Sequence, residues 1–194
     1  MSTGDLLLFR GNSWISYLIE YFSGSVYSHA GILIINPRTI GIDLEDGEYV
    51  FHSGYGMSAE LKQSIYGVHI ERLDTVLQQY PKGGVDIRVI HAPRNKMFYE
   101  RLTKIHEEVH SKPYDINLFD WLSVLYYNER LPGSVPGWYQ NTQRFWCSAL
   151  VSYAYERLEW VNDVDWTIVS PGELSEAGRC LRWRVPVESG KKFF

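Results

Sequence analysis

The chain carries the stretch YSHAGILII at residues 27–35, in which His29 opens an uninterrupted apolar run. Short apolar runs of this kind are typical of a buried strand. We therefore predict a strand over residues 28–35, with the His29 imidazole at the end of the sheet where this strand begins. The small neighbours Ala30 and Gly31 leave room beside that ring. A polar partner that approaches closely would fit there, whereas a histidine bonded only to backbone is the simpler alternative.

A second polar group opens a second apolar element in the stretch FWCSALV at residues 145–151. Cys147 precedes apolar residues at helical spacing, and the free N–H groups and dipole of a helix start favour a thiolate. We therefore expect Cys147 to be a nucleophile whose pKa lies below the free value of roughly 8.5, with alkylation already fast at mildly acidic pH. A small buried hydrophobe is the alternative for this cysteine. Cys180 lies outside any motif and is expected to be a core residue.

Composition limits the class of protein. The chain has 194 residues, of which 45% are hydrophobic, and this length predicts a single domain over residues 1–194. Its formal net charge is −4, and no block of basic residues indicates a nucleic-acid partner. Two cysteines are too few for a disulfide framework, so we expect reduced thiols. The sequence shows no signal peptide and no apolar run of about 20 residues. We therefore expect a cytoplasmic protein without a membrane span.

The order of predicted elements mixes strands and helices. A returning strand at residues 48–52 would pair with the first strand and bring His52 towards His29. Further strands are predicted at 68–73 and 85–91, with a closing strand at 181–187. A helix is predicted at about 95–110, with an apolar face, and it stops before Pro113. A second helix is predicted at 118–127. The loop 129–142, which holds prolines, glycines and two aromatic residues, leads directly to Cys147 and suits a lid or substrate wall.

Four motifs in order support a resemblance to a known family. They are GDLLLF at residues 4–9, YSHAGI at 27–32, FWCSALV at 145–151 and SPGEL at 170–174. Together they span nearly the whole chain. The sequence resembles the circularly permuted papain-like cysteine hydrolases, the permuted branch of the NlpC-type superfamily that also includes the lecithin:retinol acyltransferase-like enzymes. The order of histidine before cysteine is the permuted one.

This resemblance implies an α+β, papain-like domain whose antiparallel sheet packs against the nucleophile helix. It implies that His29 is the base for Cys147 and that His52, on the following strand, is the third catalytic residue. A hairpin-end histidine facing water is an equal alternative for His52, and Asp5 is either a turn residue or a neighbour of the site. The family occurs in bacteria and large DNA viruses, so the resemblance implies that the protein is either cytoplasmic or virion-associated.

The expected function is therefore a cysteine-dependent hydrolase of an amide or ester bond, needing neither a cofactor nor a metal. The preferred activity is that of a peptidase or amidase, and the alternative is a lipid acyl hydrolase or acyltransferase. The expected partner is therefore a peptide or an acyl-containing substrate. Transient membrane contact is compatible with the lipid activity. We predict that aromatic side chains line the substrate site, namely Trp138, Tyr139 and Trp146.

Two alternatives from other classes remain. The stretch HEEVH at residues 106–110 fits the pattern of zinc peptidases, with two histidines one turn apart. A charged residue inside the motif, an immediate helix stop and the lack of a third ligand at a familiar spacing favour a solvated helix face instead. The other alternative is a non-catalytic binding or virion structural protein that uses Trp138, Tyr139 or the tail at 191–194 for contacts.

Overall fold

The computed structural model describes residues 1–12, 16–17, 20–21, 24–114, 143–162, 165–178 and 181–193. Its helices are α1 (Leu73–Leu77), α2 (Lys96–Val109) and α3 (Cys147–Arg157), with short 3-10 turns at Pro37–Ile40, Trp166–Ile168 and Pro171–Leu174. Its strands are β1 (Leu6–Phe9), β2 (His29–Ile35), β3 (Glu48–Ser58), β4 (Gln63–Arg72), β5 (Val85–Arg88), β6 (Val161–Asn162), β7 (Arg182–Trp183) and β8 (Lys191–Lys192). The predicted helix at 118–127 and the loop at 129–142 lie outside the described residues.

The main sheet has six strands in the order β4-β3-β2-β1-β5-β8, and every neighbouring pair is antiparallel. β1 lies inside the sheet and is fully buried, which explains its continuous apolar sequence. Leu6 and Leu8 face the larger core, whereas Leu7 and Phe9 face a smaller one, because successive side chains on a strand point to opposite faces. The predicted α+β class is confirmed, and the histidine strand β2 lies beside β1.

Helices α2 and α3 cover one face of this sheet. The predicted apolar face of α2 is confirmed, with Phe98, Leu102, Ile105 and Val109 all buried in the larger core. Its start is capped by Asn95, whose side chain accepts the N–H of Phe98 at 3.0 Å. α3 is buried along most of its length and packs against β2 and β3. None of the helices in the described ranges is long and apolar enough to cross a membrane.

The C-terminal segment differs from the predicted closing strand at 181–187. Arg182–Trp183 pairs instead with Val161–Asn162 in a separate two-stranded sheet. The main sheet is extended by Lys191–Lys192, which pairs with β5, and Phe193 packs against the smaller core. The short apolar pattern at 181–187 could not distinguish the two sheets, because the pairing depends on long-range contacts.

Asp5, for which the sequence left two roles open, is a fully buried structural carboxylate. Its Oδ1 atom accepts the N–H of Ile90 at 3.1 Å and the guanidinium of Arg94 at 2.8 Å. Its Oδ2 atom accepts the N–H of Ser2 at 2.7 Å. The side chain therefore joins the N-terminal turn to the segment that follows β5.

Candidate active site

Cys147 is the first residue of α3, and it is 4% exposed. Two side chains fix the helix start: Ser53 on β3 donates to the Phe145 carbonyl at 2.6 Å, and Ser148 donates to the Val169 carbonyl at 2.6 Å. The backbone N–H of Ala30 on β2 is close enough to the Cys147 sulfur to lower the pKa of the thiol. The nucleophile predicted from sequence therefore meets β2 at the residue that follows His29.

The predicted lowering of the thiol pKa is wrong for the resting protein. Burial raises the pKa of Cys147 to about 11, and this outweighs the opposite effect of the backbone N–H groups of Ala30, Ser148 and Cys147 itself. The sequence showed the helix start but could not show how completely the sulfur is removed from water. At neutral pH Cys147 is a thiol and not a thiolate.

The two predicted histidines are in direct contact. The Nε2 atom of His29 lies 2.9 Å from the Nδ1 atom of His52, with the rings nearly perpendicular. Gly31 allows this approach, because a Cβ there would lie 2.5 Å from a Val50 methyl and 3.2 Å from the His52 Cβ. His52 is 3% exposed, so the alternative of a hairpin-end histidine facing water is wrong.

Two further groups, missed from the sequence, complete what we call the histidine–glutamate cluster (His29, His52, His69 and Glu71). On β4, His69 pairs in register with His52, and Glu71 lies two residues further along. The Glu71 Oε2 atom lies 3.5 Å from Nε2 of both His52 and His69. The spacing of His69 and Glu71 was a usable signal, since residues two apart on a strand share a face.

Burial and mutual repulsion keep the imidazoles neutral. Burial, followed by the neighbouring imidazoles of His52 and His69, holds the pKa of His29 well below its ordinary value of 6.5. Burial likewise lowers the pKa of His52 to about 4. The pKa of Glu71 falls to about 2, because the raising effect of burial is outweighed by the nearby ring nitrogens of His52 and His69. At neutral pH the cluster therefore holds one ionised carboxylate beside uncharged rings at His29 and His52.

The folded protein should lose stability as the pH falls. His29 and His52 stay neutral when folded but take up protons in the unfolded chain below their ordinary pKa of 6.5. Stability is thus fully present above that value and is lost as the pH drops towards 4, by roughly 3 kcal/mol for His52 alone. Urea unfolding across this pH range should show that His52→Gln flattens the slope. His91→Gln, at an exposed histidine, is the matched control, and equal slopes in the two variants would contradict the assignment.

Alkylation of Cys147 should have an unusually high pH midpoint. With the pKa raised to about 11, iodoacetamide should react half-maximally far above the roughly 8.5 of a free thiol. Peptide mass spectrometry over a pH series, in a Cys180→Ala background, follows this single thiol. The urea-unfolded chain should return to ordinary thiol behaviour. Fast labelling of the folded protein at mildly acidic pH would contradict the raised pKa and support the lowered pKa that the sequence predicted.

Of the three aromatic residues predicted to line the substrate site, only Trp146 lies within the described residues. Trp138, Tyr139 and Cys180 lie outside the described residues. Trp146 directly precedes Cys147, is half-buried and packs against the larger core. Its contact with substrate stays a prediction.

The HEEVH segment forms the end of α2, with His110 as the residue that follows the helix, and the structure corrects one argument made against it. A carboxylate from another element is present, since Glu60 Oε2 lies 3.2 Å from the His106 Nε2 atom and 3.7 Å from that of His110. Glu60 comes from the turn between β3 and β4, a separation that no sequence spacing would reveal. Glu107 and Glu108 are exposed, as the solvated face predicts. Beside this cluster is a cleft of about 480 Å³, lined by residues that include Glu60, His106 and Glu107.

Comparison with known proteins informs the fold alone. No family model matches the chain, and no curated protein matches it. Among solved structures, the chain is similar to the metalloprotein yiiX from Escherichia coli O157:H7, with a TM-score of 0.54 and 20% sequence identity. The likeness covers 81% of this chain and 66% of the yiiX chain. It supports a mixed fold of helices and a largely antiparallel sheet.

Proposed function

We propose that the protein is a cysteine-dependent hydrolase of an amide or ester bond, with a permuted papain-like fold. Cys147 is the nucleophile, His29 is its base and His52 orients His29. The observation that carries the proposal is the 2.9 Å contact between the two imidazoles, one residue away from Ala30, whose backbone N–H lowers the pKa of the Cys147 thiol. A nucleophile, a base and a group that orients the base are the parts that covalent acyl transfer requires.

We infer that the Nδ1 atom of His29 serves as the base. Its Nε2 atom is bonded to His52, which leaves Nδ1 for the thiol. The Glu71 carboxylate faces Nε2 of His52 and favours a hydrogen on that nitrogen, because a carboxylate only accepts. His52 Nδ1 then accepts the Nε2–H of His29, and the Nδ1 atom of His29 carries the lone pair.

The reaction follows from these protonation states. As the Cys147 sulfur attacks the carbonyl carbon, its proton passes to Nδ1 of His29 and the carbonyl π electrons move to oxygen. Backbone N–H groups at the start of α3 stabilise this oxyanion. The bond to the leaving nitrogen or oxygen then breaks, and His29 returns the proton to that atom. Water then attacks the thioester carbonyl and gives a proton to His29. The C–S bond breaks, the acid leaves, and His29 returns the proton to the Cys147 sulfur; an amine or alcohol in place of water would give acyl transfer.

The substrate class follows the sequence-based expectation, with peptides or other amides first and acyl lipids second. The test is a panel of peptide, cell-wall-peptide and phospholipid substrates, assayed with wild type and Cys147→Ala. We expect turnover of one class that disappears in the variant. Turnover that is equal in both proteins would contradict a cysteine mechanism.

The second candidate is a non-catalytic binding protein that keeps the fold. One observation favours it: burial moves the pKa of Cys147 up and that of His29 down, as in any buried pair with no catalytic task. An activated-acyl probe separates the two functions. The hydrolase should form a thioester at Cys147 near neutral pH much faster than at Cys180, whereas the binding protein should show no such preference.

A further inference from the structure

Three buried polar atoms of the histidine–glutamate cluster converge without hydrogen bonds. They are Nε2 of His52, Nε2 of His69 and Oε2 of Glu71, and in the described part of the chain none has a hydrogen-bond partner. The three residues are at most 3% exposed. The two nitrogen–oxygen distances of 3.5 Å are longer than the 2.7–3.2 Å usual for a hydrogen bond. An unsatisfied buried polar group costs about 1–3 kcal/mol, so three together indicate a missing bound species.

The protonation of His69 indicates the sign of that species. Its Nδ1 atom lies 2.9 Å from the Gly67 carbonyl oxygen, which only accepts, so Nδ1 carries the hydrogen. In the neutral ring, Nε2 then carries a lone pair, and it faces the Glu71 carboxylate. Two acceptors that face each other in a buried site require a positive charge between them, either a proton or a metal ion, and the 3.5 Å separation is longer than a proton-bridged hydrogen bond.

We propose that His52, His69 and Glu71 bind a divalent transition metal, for which Zn²⁺ is the best match. Zinc binds imidazole nitrogen and carboxylate oxygen at about 2.0–2.2 Å in tetrahedral sites, which places neighbouring ligand atoms about 3.4 Å apart. The two nitrogen–oxygen distances are 3.5 Å, and all three atoms lie within 4.8 Å of one another. A separation that is too long for a hydrogen bond is thus the right one for two ligands of one metal.

The groups behind these ligands match a metal site as well. Metal-binding histidines commonly donate their other N–H to a carbonyl or similar acceptor, and His69 does so to Gly67. The carboxylate of Glu71 is held from behind by Gln79, whose Nε2 donates to Oε1 at 3.4 Å. The first ligands are therefore oriented by neighbours that do not themselves reach the metal.

Gly56 on β3 leaves the space beside the ligands open. A Cβ at this position would collide with Oε2 of Glu71 and lie 2.7 Å from Nε2 of His69. Any residue other than glycine would therefore push the two ligands out of place. The absence of a side chain here is required by the ligand geometry.

The other group of potential ligands, Glu60, His106 and His110, lacks these features. Its carboxylate already accepts from His106 at hydrogen-bond distance. Its side chains are partly exposed, and no atom in it is buried without a partner in the described residues. A hydrogen bond between His106 and Glu60 accounts for this group, which makes it the natural control.

Zinc in the buried site would regulate Cys147, and this part of the inference rests on the proposed function. A metal on Nε2 of His52 requires the hydrogen to be on Nδ1, from which it is donated to Nε2 of His29. His29 then holds its own hydrogen on Nδ1, the atom that would otherwise accept the thiol proton. Zinc should therefore switch the cysteine off.

The test is zinc binding by the full chain after chelator treatment, measured by competition with a chromophoric chelator. Wild type should bind one zinc ion per chain. His69→Gln and Glu71→Gln should weaken the affinity by more than about 100-fold, because even outer-shell groups contribute about 10–100-fold. The control variants Glu60→Gln and His106→Gln should retain wild-type affinity. Circular dichroism shows whether each variant is folded, and anomalous diffraction at the zinc edge of wild-type crystals locates the metal without any substitution.

The site is overturned if wild type binds no zinc, if the control variants lose it while His69→Gln retains it, or if the anomalous peak lies at Glu60. The regulatory part has its own readout, the ratio of Cys147 acylation rates with and without zinc. Zinc should slow wild type and leave the ratio in His69→Gln near one. Zinc binding at His69 without any slowing would overturn the regulation alone. Binding is measured without turnover, so it stays informative even if no hydrolase activity is found.

Discussion

Cys147→Ala should abolish turnover of the substrate that the panel identifies. Removing the nucleophile of a hydrolase of this type leaves only binding and oxyanion stabilisation, and the loss is on the order of 10⁶-fold in kcat. Cys147 lies at the start of α3, beside the free N–H groups that would stabilise an oxyanion. The measurement is kcat for wild type and variant, with unchanged thermal unfolding as the check on folding.

Three matched variants make this result specific. Cys180→Ala removes the other cysteine and should leave kcat unchanged. His29→Ala removes the base and should cost about 10²–10⁴-fold. His52→Gln should cost less than His29→Ala and should also shift the pH profile of kcat, because it removes the orientation of His29 and not the base itself. A variant that loses Cys147 yet keeps a tenth of the wild-type rate would contradict the mechanism.

Asp5→Ala should be strongly destabilising. The carboxylate is fully buried and pairs with Arg94, and its removal leaves a largely buried guanidinium and the Ile90 N–H without their partner. Removing one member of a buried pair costs about 3–5 kcal/mol. Arg94 keeps carbonyl partners at Thr3 and Ala92, so we expect the lower part of this range. Urea unfolding measures the change in the free energy of unfolding.

An exposed aspartate is the control for that experiment. Asp43 lies 3.6 Å from Arg38 at the surface, and its side chain is 98% exposed. Exposed pairs contribute about 0–1 kcal/mol, so Asp43→Ala should change stability by a fraction of the Asp5→Ala effect. Similar losses in the two variants would show that Asp5 is a turn residue whose burial contributes nothing.

The sequence was informative wherever local pattern decides structure. The apolar run after His29 predicted β2, the spacing of Phe98 and Leu102 predicted α2, and the run after Cys147 predicted α3. The contact between His29 and His52 was also predicted, because it needs only the pairing of two neighbouring strands. These features depend on periodicity and on short connections, both of which are visible in a single chain.

The remaining features depend on burial and on long-range register. The strand predicted at residues 48–52 continues to Ser58, and Gly56 in this continuation makes room for Glu71 and His69. The raised pKa of Cys147 arises from complete burial, which no local pattern reports. Glu60 reaches His106 across 46 residues of chain, a contact that only the folded hairpin creates.

The most direct test of the central claim is mass spectrometry of the protein after brief exposure to an activated acyl ester near neutral pH. The account predicts one acyl group per chain, attached to the peptide that contains Cys147, with formation much slower in His29→Ala and unaffected in Cys180→Ala. Acylation that is equally fast at both cysteines, or that is independent of His29, would contradict the claim that Cys147 is a nucleophile served by His29.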